Sequence, residues 1–468
     1  MKTVGSVGER GLIELFLKIF SKRGEHSLIF SKIPEPFSTE TVDTCDAPAT
    51  STSDISGSID FFSGKSDDCA VLDTSSFKDE LIVCGTDMLR EKTDFPADMD
   101  YWKRGWMSAA VNLSDIASMG ADPIGFLLNV GFPEDLPLDL AIDFAKGVRD
   151  CNSVYNCFVS GGDTDNHQEL TVVGTAIGKV SKNKYLTRSG AAPGDLICVS
   201  GFPGNSALAL DIILKNDLSG NFSNNEYLKN ETNNEANNET NNETKNETKN
   251  ETKNGTETEN KTENKTGTPN KTETETGPLH TFLNNLYLPV PRVFEGKAIA
   301  NSGIATSMTD TSDSLSISLY NLYSESNLGF KIYEDLIPLS DDLIKFAGLL
   351  NSENSNPDNS KKSDSDFYSV LYNYALFGGG DFELLFTINP DKLETFSNFS
   401  FNLEDFSGSR NKIKIANFNP VHFPTFMSHK YPCPIHIIGQ VSDEFSGIYL
   451  HSKDGNSKKL KCDGYSSF

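Results

Sequence analysis

The chain has 468 residues, enough for two or three domains and a sizeable hydrophobic core. Its 41 basic and 66 acidic residues give a formal net charge of -25, which disfavours nucleic acids and anionic membranes as partners. No apolar run is long enough to span a bilayer, and the eight cysteines show neither a zinc-type spacing nor a disulfide framework. These features predict a cytoplasmic protein, in a reducing compartment, that binds neither membrane nor nucleic acid.

Strands and helices alternate along the first part of the chain, a pattern typical of α/β and α+β proteins. The predicted elements are a strand over 81–87, a helix around 102–119, a strand over 125–133, a helix over 137–155 and strands over 157–165 and 170–180. In the helix around Asp115, apolar residues recur three and four positions apart, starting from Trp102 and Trp106. The glycine pair at 161 and 162 predicts a turn within the third strand.

A second lobe is predicted to begin near Arg188–Gly194, which divides the chain into an N-terminal lobe over 1–190 and a C-terminal lobe over 191–468. Its predicted elements are a strand ending near 201, a helix over 291–303, a strand, polar turn and helix over 304–326, and a glycine turn with a strand over 374–388. The second lobe therefore repeats the mixed composition of the first.

Three polar tracts interrupt this pattern, at about 35–58, 216–277 and 351–366. The longest is dominated by Asn, Thr, Glu and Lys and contains almost no apolar residue. Such a segment cannot bury enough apolar surface to offset the entropy of ordering, so we predict disordered surface inserts.

Asp115 lies beside the apolar stripe of its helix, where an ionised carboxylate must be hydrated, paired or bound to a cation. A flank residue that reaches water is the simpler alternative. Further acidic residues recur next to small residues at predicted strand and helix ends: Asp67, Asp68, Asp87, Asp163, Asp310 and Asp313. If these ends converge, a hard divalent cation such as Mg²⁺ would relieve the repulsion. Histidine is absent from these motifs, which argues against zinc.

Two features of the sequence suggest groups that could bind an anion. Arg188 in "LTRSGAAPGD" could grip a phosphate, although a surface salt bridge would explain it equally well. Gly201, Gly204 and Ser206 precede a predicted helix in a loose phosphate-cradle pattern. The chain has neither a GxxxxGK[ST] motif nor the HRD and DFG signatures, so any nucleotide site must be of another kind.

Taken in order, the motifs "SDDCAVL", "TDMLREKTDFP", "AVNLSDIASMGADP", "SGGDTD", "LTRSGAAPGD", "SGFPGNSALAL", "DTSDSL", "GGGDFELLF" and the closing "GYSSF" resemble thiamine-monophosphate kinase. That family belongs to the aminoimidazole ribonucleotide synthetase-like superfamily. The resemblance covers the chain from its first residues to Phe468 apart from the polar inserts. The "TDMLREKTD" form is more similar to archaeal than to bacterial members, which tend to have His where this chain has Asp94.

The resemblance implies two α/β (α+β) lobes, of which the N-terminal lobe has a mixed sheet that pairs across a homodimer. It implies Mg²⁺-dependent transfer of the ATP γ-phosphate to thiamine monophosphate, giving thiamine diphosphate and ADP, with several Mg²⁺ ions and K⁺ as a further candidate cation. The implied metal ligands are Asp68, Thr86, Asp87, Asp115, Asp163, Asp310 and Asp313. The implied ATP contacts are Gly162, Asp163, Arg188 and Ser312, and the implied acceptor contacts are Asp94, Gly380 and Phe468 or Tyr465.

The chain departs from the family pattern in the C-terminal lobe. Ser314 stands where the family has Gly, Gly380 where it has a substrate-contacting Glu, and Ser318 where many members have Asp. Asp381 and Glu383 are candidates to replace the missing carboxylate. Two alternatives stay open: another ATP-dependent enzyme of the superfamily with a different small-molecule acceptor, and a non-catalytic nucleotide-binding protein. No general base is expected, because the acceptor phosphate is already ionised.

Overall fold

The computed structural model describes residues 3–6, 12, 15, 16, 19, 78–219, 278–353, 364–395 and 433–462. The predicted inserts at 35–58, 216–277 and 351–366 lie entirely or largely outside these residues. Four candidate site residues also lie outside them, namely Asp67, Asp68, Tyr465 and Phe468.

The first sheet is mixed and has four strands in the order β1-β4-β2-β3. Its strands are β1 (Glu80–Arg90), β2 (Asp122–Phe132), β3 (Val159–Asn166) and β4 (Thr171–Ser181). β4 pairs antiparallel with both β1 and β2, whereas β2 and β3 are parallel. All four strands were predicted from the sequence, and the mixed sheet expected for the N-terminal lobe is confirmed.

The glycine pair in β3 does not form the predicted turn. Gly161 and Gly162 lie inside the strand, opposite Leu127 and Leu128 of β2. A Cβ at Gly162, where φ is 151°, would lie 1.7 Å from the backbone oxygen of Leu128. The pair therefore permits close approach of two backbones, which a local turn signal cannot distinguish from a reversal of the chain.

Helices cover one face of this sheet. They are the single turn α1 (Glu91–Asp94), α2 (Tyr101–Ser118) and α3 (Leu138–Val154). The carboxylate of Asp100 accepts a 2.8 Å hydrogen bond from the backbone NH of Lys103 and caps α2. Cβ atoms at Gly174 and Gly178 of β4 would clash with Asn112 and Ile116 of α2. Glycines on the inner face of the sheet thus let α2 lie directly on the strands.

The second sheet has seven strands in the order β11-β10-β7-β9-β5-β8-β6. The strands are β5 (Leu196–Ser200), β6 (Ala305–Asp310), β7 (Gly329–Tyr333), β8 (Leu384–Ile388), β9 (Ile435–Ser442), β10 (Gly447–His451) and β11 (Ser457–Lys459). The helices are α4 (Asn205–Ser219), α5 (Pro278–Tyr287), α6 (Val293–Ser302), α7 (Leu315–Ser326), α8 (Asp341–Glu353) and α9 (Asp364–Phe377), with 3-10 turns at Glu334–Leu336 and Pro390–Thr395. The α/β (α+β) class is confirmed.

α2 connects the two sheets. Its residues belong to a continuous hydrophobic core that includes Cys198 of β5 and Met308 of β6. The buried indole of Trp106 donates a 2.9 Å hydrogen bond to the backbone oxygen of Pro289, before α6. The two sheets therefore share a core, with α2 between them. None of the described helices is long and apolar enough to cross a membrane.

Candidate active site

Asp115 occupies the face of α2 that lies against β1. Its carboxylate sits directly over Gly85, because a Cβ built there would lie 2.8 Å from Asp115 Oδ2. Burial, followed by the negative charges of Asp87 and Asp310, raises the pKa of Asp115 to about 7, against an opposing effect of Arg188. Asp115 is thus not a helix-flank carboxylate in open water, which was the simpler sequence interpretation.

Asp87 and Asp310 reach Asp115 from different sheets. Burial raises the pKa of Asp310 to about 6, and the charge of Asp87 adds to the effect, whereas a hydrogen bond from Ser114 and the charge of Arg188 oppose it. The pKa of Asp87 is also raised, by burial and then by the charge of Asp313. These mutual effects identify Asp87, Asp115, Asp310 and Asp313 as one group of interacting carboxylates, hereafter the acidic cluster.

A cavity of about 410 Å³ opens beside this cluster. It is lined by Val83, Cys84, Gly85, Asp115, Ile116, Ser118, Met119, Thr187, Arg188, Ser189, Met308, Thr309 and Glu325. Arg188 is exposed and forms no ion pair with any described residue, so its guanidinium is available to an anionic ligand. The cavity therefore combines an acidic end, one free cation and an apolar wall, as expected of a nucleotide site.

Thr86 and Asp163 do not join the acidic cluster within one copy of the chain. Thr86 lies on the exposed face of β1, opposite to the face that carries Asp87, and its hydroxyl donates to the backbone oxygen of Gly174 at 2.7 Å. Asp163 is in register with Met88 across the sheet, three strand spacings away, or about 14 Å. Gly162, the neighbouring ATP-contact candidate, shares this distant edge strand.

The loop carrying Ser312 and Asp313 packs against the glycine loop before β8. The backbone NH of Gly380 donates a 2.7 Å hydrogen bond to the backbone oxygen of Ser312. A Cβ at Gly379 would lie 2.8 Å from the backbone oxygen of Asp313. Gly380 has a φ of 87°, a conformation that disfavours the Glu typical of the family, although a Cβ there would make only ordinary van der Waals contact with Ser206 and Leu286. The ATP-side and acceptor-side candidates of the C-terminal lobe are thus adjacent.

Asp94 lies beyond the end of β1, in α1. Its carboxylate accepts hydrogen bonds from the backbone NH of Arg90 at 2.8 Å and from the hydroxyl of Thr93 at 2.7 Å. Both donors belong to its own turn. Asp94 therefore stabilises the end of β1 and is only half-buried, which leaves it accessible.

The predicted phosphate cradle at the start of α4 is wrong. The carboxylate of Asp381 fills it, accepting hydrogen bonds from the backbone NH groups of Gly204 at 2.6 Å and Ser206 at 2.9 Å. An internal side chain from the loop before β8 thus satisfies the free backbone NH groups of this helix N-terminus. Asp381 is therefore occupied by a structural role and is unsuited to replace the Glu missing at position 380.

Glu383, the other candidate replacement, is also engaged in a buried network. Arg292 binds it with two nitrogens, at 2.7 and 2.5 Å, and the hydroxyl of Ser200 donates to it at 2.5 Å. The backbone NH of Glu383 donates to the hydroxyl of Thr311, and the backbone oxygen of Glu383 accepts from the backbone NH of Thr311 at 2.8 Å. Because Thr311 lies between Asp310 and Ser312, this network fixes the acidic loop relative to β8.

Sequence reasoning missed the polar residues that support the cluster. Ser114 is fully buried and donates a 2.7 Å hydrogen bond to Asp310 Oδ2, while Asn112 Oδ1 accepts one from the backbone NH of Asp87 at 3.0 Å. Both precede Asp115 in "NLSD", and polar residues on an otherwise apolar helix were the available signal. Ser314, a departure from the family, is the N-cap of α7, since its side chain accepts from the NH of Ile317.

The acidic cluster fits a divalent cation that also binds ligand phosphates. No three described carboxylate, imidazole or thiol side chains are close enough to form a metal site by themselves. Mg²⁺, however, commonly uses one or two carboxylates and completes its shell with water and substrate phosphates. Buried carboxylates that raise one another's pKa, with the exposed Arg188 as the cation that opposes this effect, are the environment that such a cation would stabilise.

Comparison with known proteins shows the family of the chain. Residues 66–180 match the family described as AIR synthase related protein, N-terminal domain. The thiamine-monophosphate kinase of Methanospirillum hungatei is 32% identical over 332 residues, which cover 71% of this chain and 82% of that protein. The enzyme of the same name from Archaeoglobus fulgidus is 29% identical over 307 residues, covering 66% of this chain and 73% of that protein.

A solved structure described as AaThiL complexed with AMPPCP and TMP has a TM-score of 0.54 at 20% identity, covering 100% of this chain and 99% of that one, and so shows a common fold. The two sheets, the matched N-terminal domain and the relatives thus define an ATP-dependent enzyme of the AIR synthase-like superfamily. Within that superfamily, the chain belongs to the thiamine-monophosphate kinase family.

Proposed function

We propose that this chain transfers the γ-phosphoryl group of ATP to the phosphate of thiamine monophosphate, giving thiamine diphosphate and ADP. The observation that carries the proposal is the convergence of Asp87, Asp115 and Asp310 beside a cavity that also holds Arg188. Family membership supplies the acceptor. A cluster of carboxylates with one free arginine suits the charge neutralisation that two polyanionic substrates require.

The residues of the chain have separable roles in this reaction. Asp87, Asp115, Asp310 and Asp313, with Asp68 outside the described residues, would hold Mg²⁺, which would neutralise the phosphates of ATP and of the acceptor. Arg188 would bind a phosphate oxygen, and the rigid seat of Asp115 over Gly85 would keep its carboxylate in place. The acceptor oxygen is ionised at neutral pH, so no side chain needs to remove a proton.

The acceptor site is proposed beside Gly380 and the exposed Asp313. Their loops touch, so an acceptor phosphate there would lie next to the acidic cluster. Asp94 and Phe468 are further proposed acceptor contacts, by the family motif alone. Because Gly380 brings no side chain, the acceptor is held by fewer groups than in relatives with Glu at this position.

A homodimer is proposed from the exposed face of the first sheet. Ile82 and Met88 of β1 are 37% and 58% exposed, and Thr86 and Cys84 lie on the same face. An apolar sheet face with long edge strands is normally covered. A second copy packed on this face would also bring its own Asp163 towards Thr86 of the first copy. Such pairing explains why Thr86 and Asp163 of one copy lie the width of the sheet apart.

Two finer statements are part of the proposal. Several Mg²⁺ ions, with K⁺ as a further candidate, are expected because at least four carboxylates need compensation. A cytoplasmic location is supported by the exposed free thiol of Cys84 among the described residues, since free surface thiols are typical of a reducing compartment.

The test is a direct assay of the purified full chain with ATP, Mg²⁺ and thiamine monophosphate. We expect thiamine diphosphate, resolved by chromatography, and its loss with EDTA or in Asp115→Asn. Asp143→Asn is the matched control, because Asp143 lies on the surface of α3 and pairs with Lys146 at 2.7 Å, away from the cavity. Product formation by Asp115→Asn at the wild-type rate would overturn the proposed role of the cluster.

The two alternatives give different results in the same assay. ATP binding without thiamine diphosphate, but with transfer to another phosphorylated small molecule, would indicate a changed acceptor site around Gly380. ATP binding with no transfer to any acceptor would indicate a nucleotide-binding protein that is not an enzyme.

A further inference from the structure

Glu325 is an unexplained charge in the wall of the cavity. It is exposed, lines the cavity with Asp115 and Arg188, and forms no ion pair within the described part of the chain. It also lies in the last turn of α7, where the negative end of the helix dipole disfavours a carboxylate. A residue that is unfavourable for its own helix yet faces a ligand cavity is better explained by binding than by stability.

Glu325 lies far along α7 from the loop that carries Asp313. α7 begins at Leu315, immediately after the loop of Asp313, and runs away from it. Glu325 comes ten residues after Leu315, about 15 Å further along the helix axis at ~1.5 Å per residue. The cavity wall therefore includes a second carboxylate, Glu325, that is well removed along α7 from the loop of Asp313.

The surroundings of Asp115 and Glu325 suit different parts of a nucleotide. Asp115 belongs to a cluster suited to cations and phosphates, with Arg188 nearby. Glu325 has no such cluster around it and would repel a phosphate directly. Ile116, Met119 and other apolar residues also line the cavity and suit a base or sugar face. The nucleoside, not the triphosphate, is the part that can reach Glu325.

An ionised carboxylate only accepts hydrogen bonds, so its partner must present donors. The two neighbouring hydroxyls of ribose can donate to both oxygens of a single carboxylate. We propose that Glu325 binds the 2′ and 3′ hydroxyls of the ATP ribose and thereby makes the site selective for ribonucleotides. This inference rests on the proposed function, because it takes ATP to be the ligand.

The test is calorimetric titration of the full chain with ATP and with 2′-deoxy-ATP, in Mg²⁺ and without thiamine monophosphate. Loss of a hydrogen bond to a charged acceptor weakens binding about tenfold or more. We expect the wild type to prefer ATP by about that factor and Glu325→Ala to bind both nucleotides with nearly equal dissociation constants. Glu325→Gln, which keeps one acceptor oxygen, should retain part of the preference.

Asp443→Asn is the matched control, since Asp443 is an exposed carboxylate in the β9–β10 turn that does not line the cavity. It should leave both dissociation constants unchanged. An unchanged ribose preference in Glu325→Ala would overturn this inference alone. Failure of the wild type to bind either nucleotide would overturn the proposed function as well. Binding is measured without turnover, so the two failures are distinguishable.

Discussion

Breaking the ion pair between Arg292 and Glu383 should strongly destabilise the protein. The side chains are 18% and 7% exposed, and Arg292 binds both carboxylate oxygens, at 2.7 and 2.5 Å. Arg292→Ala leaves the Glu383 carboxylate buried with a hydroxyl as its main remaining donor. Loss of one partner of a buried pair costs about 3–5 kcal/mol in the free energy of unfolding. For a chain of this size that lowers the melting temperature by roughly 5 °C.

The matched control is Lys331→Ala, which breaks the pair between Lys331 and Glu444. That pair is also close, at 2.8 Å, but its side chains are 27% and 73% exposed. Exposed pairs contribute about 0–1 kcal/mol, so its melting temperature should change by about 1 °C or less. Urea and thermal unfolding followed by circular dichroism would measure both variants under the same conditions.

A third variant separates the cost of an unpaired charge from the value of the pair. Arg292→Met with Glu383→Leu removes both charges, and replacement of a buried pair by apolar residues is often neutral. We expect this double variant to be more stable than Arg292→Ala alone. The reasoning would be refuted if Arg292→Ala were as stable as Lys331→Ala. It would also be refuted if the double variant lost at least as much unfolding free energy as its two single substitutions added together.

Three further predictions concern other parts of the structure. Burial raises the pKa of Asp381 to about 7 despite the two backbone NH donors at the start of α4, so its stabilising contribution is present at low pH and is lost as pH rises through about 7. Between pH 5 and pH 8, Asp381→Asn should therefore lose less unfolding free energy than the wild type. An equal loss of the two proteins in chemical unfolding would contradict the assignment. Met88→Lys places a charge on the exposed face of the first sheet and should yield monomers in analytical ultracentrifugation, whereas Lys182→Met, at an exposed position beyond the end of β4, should not change the oligomeric state. Ser314→Ala removes the N-cap of α7 and should cost about 1 kcal/mol by chemical unfolding, but Ser314→Gly, the family residue, only a few tenths; equal losses would show that the cap hydrogen bond is not responsible.

The sequence by itself determined the elements and the inventory of the site. The three- and four-residue spacing from Trp102 to Met119 predicted α2, and alternating or continuous apolar runs predicted the strands of the first sheet. The ordered motifs, from "NLSD" to "DTSDSL", identified the carboxylates that meet beside the cavity. Periodicity and motif order are local properties, so one chain is enough to read them.

The tertiary structure alone decided which of these residues meet. In that structure Gly162 lies within a strand, and the carboxylate of Asp381 binds the backbone NH groups at the start of α4. Asp163 is separated from Asp87 by the width of the sheet. The tertiary structure also brought Glu325, a residue in no recognised motif, to the wall of the same cavity. These outcomes depend on strand register and on contacts between residues distant in the chain. No local pattern encodes such contacts, because the same glycine or carboxylate satisfies a turn, a cap or a ligand equally well.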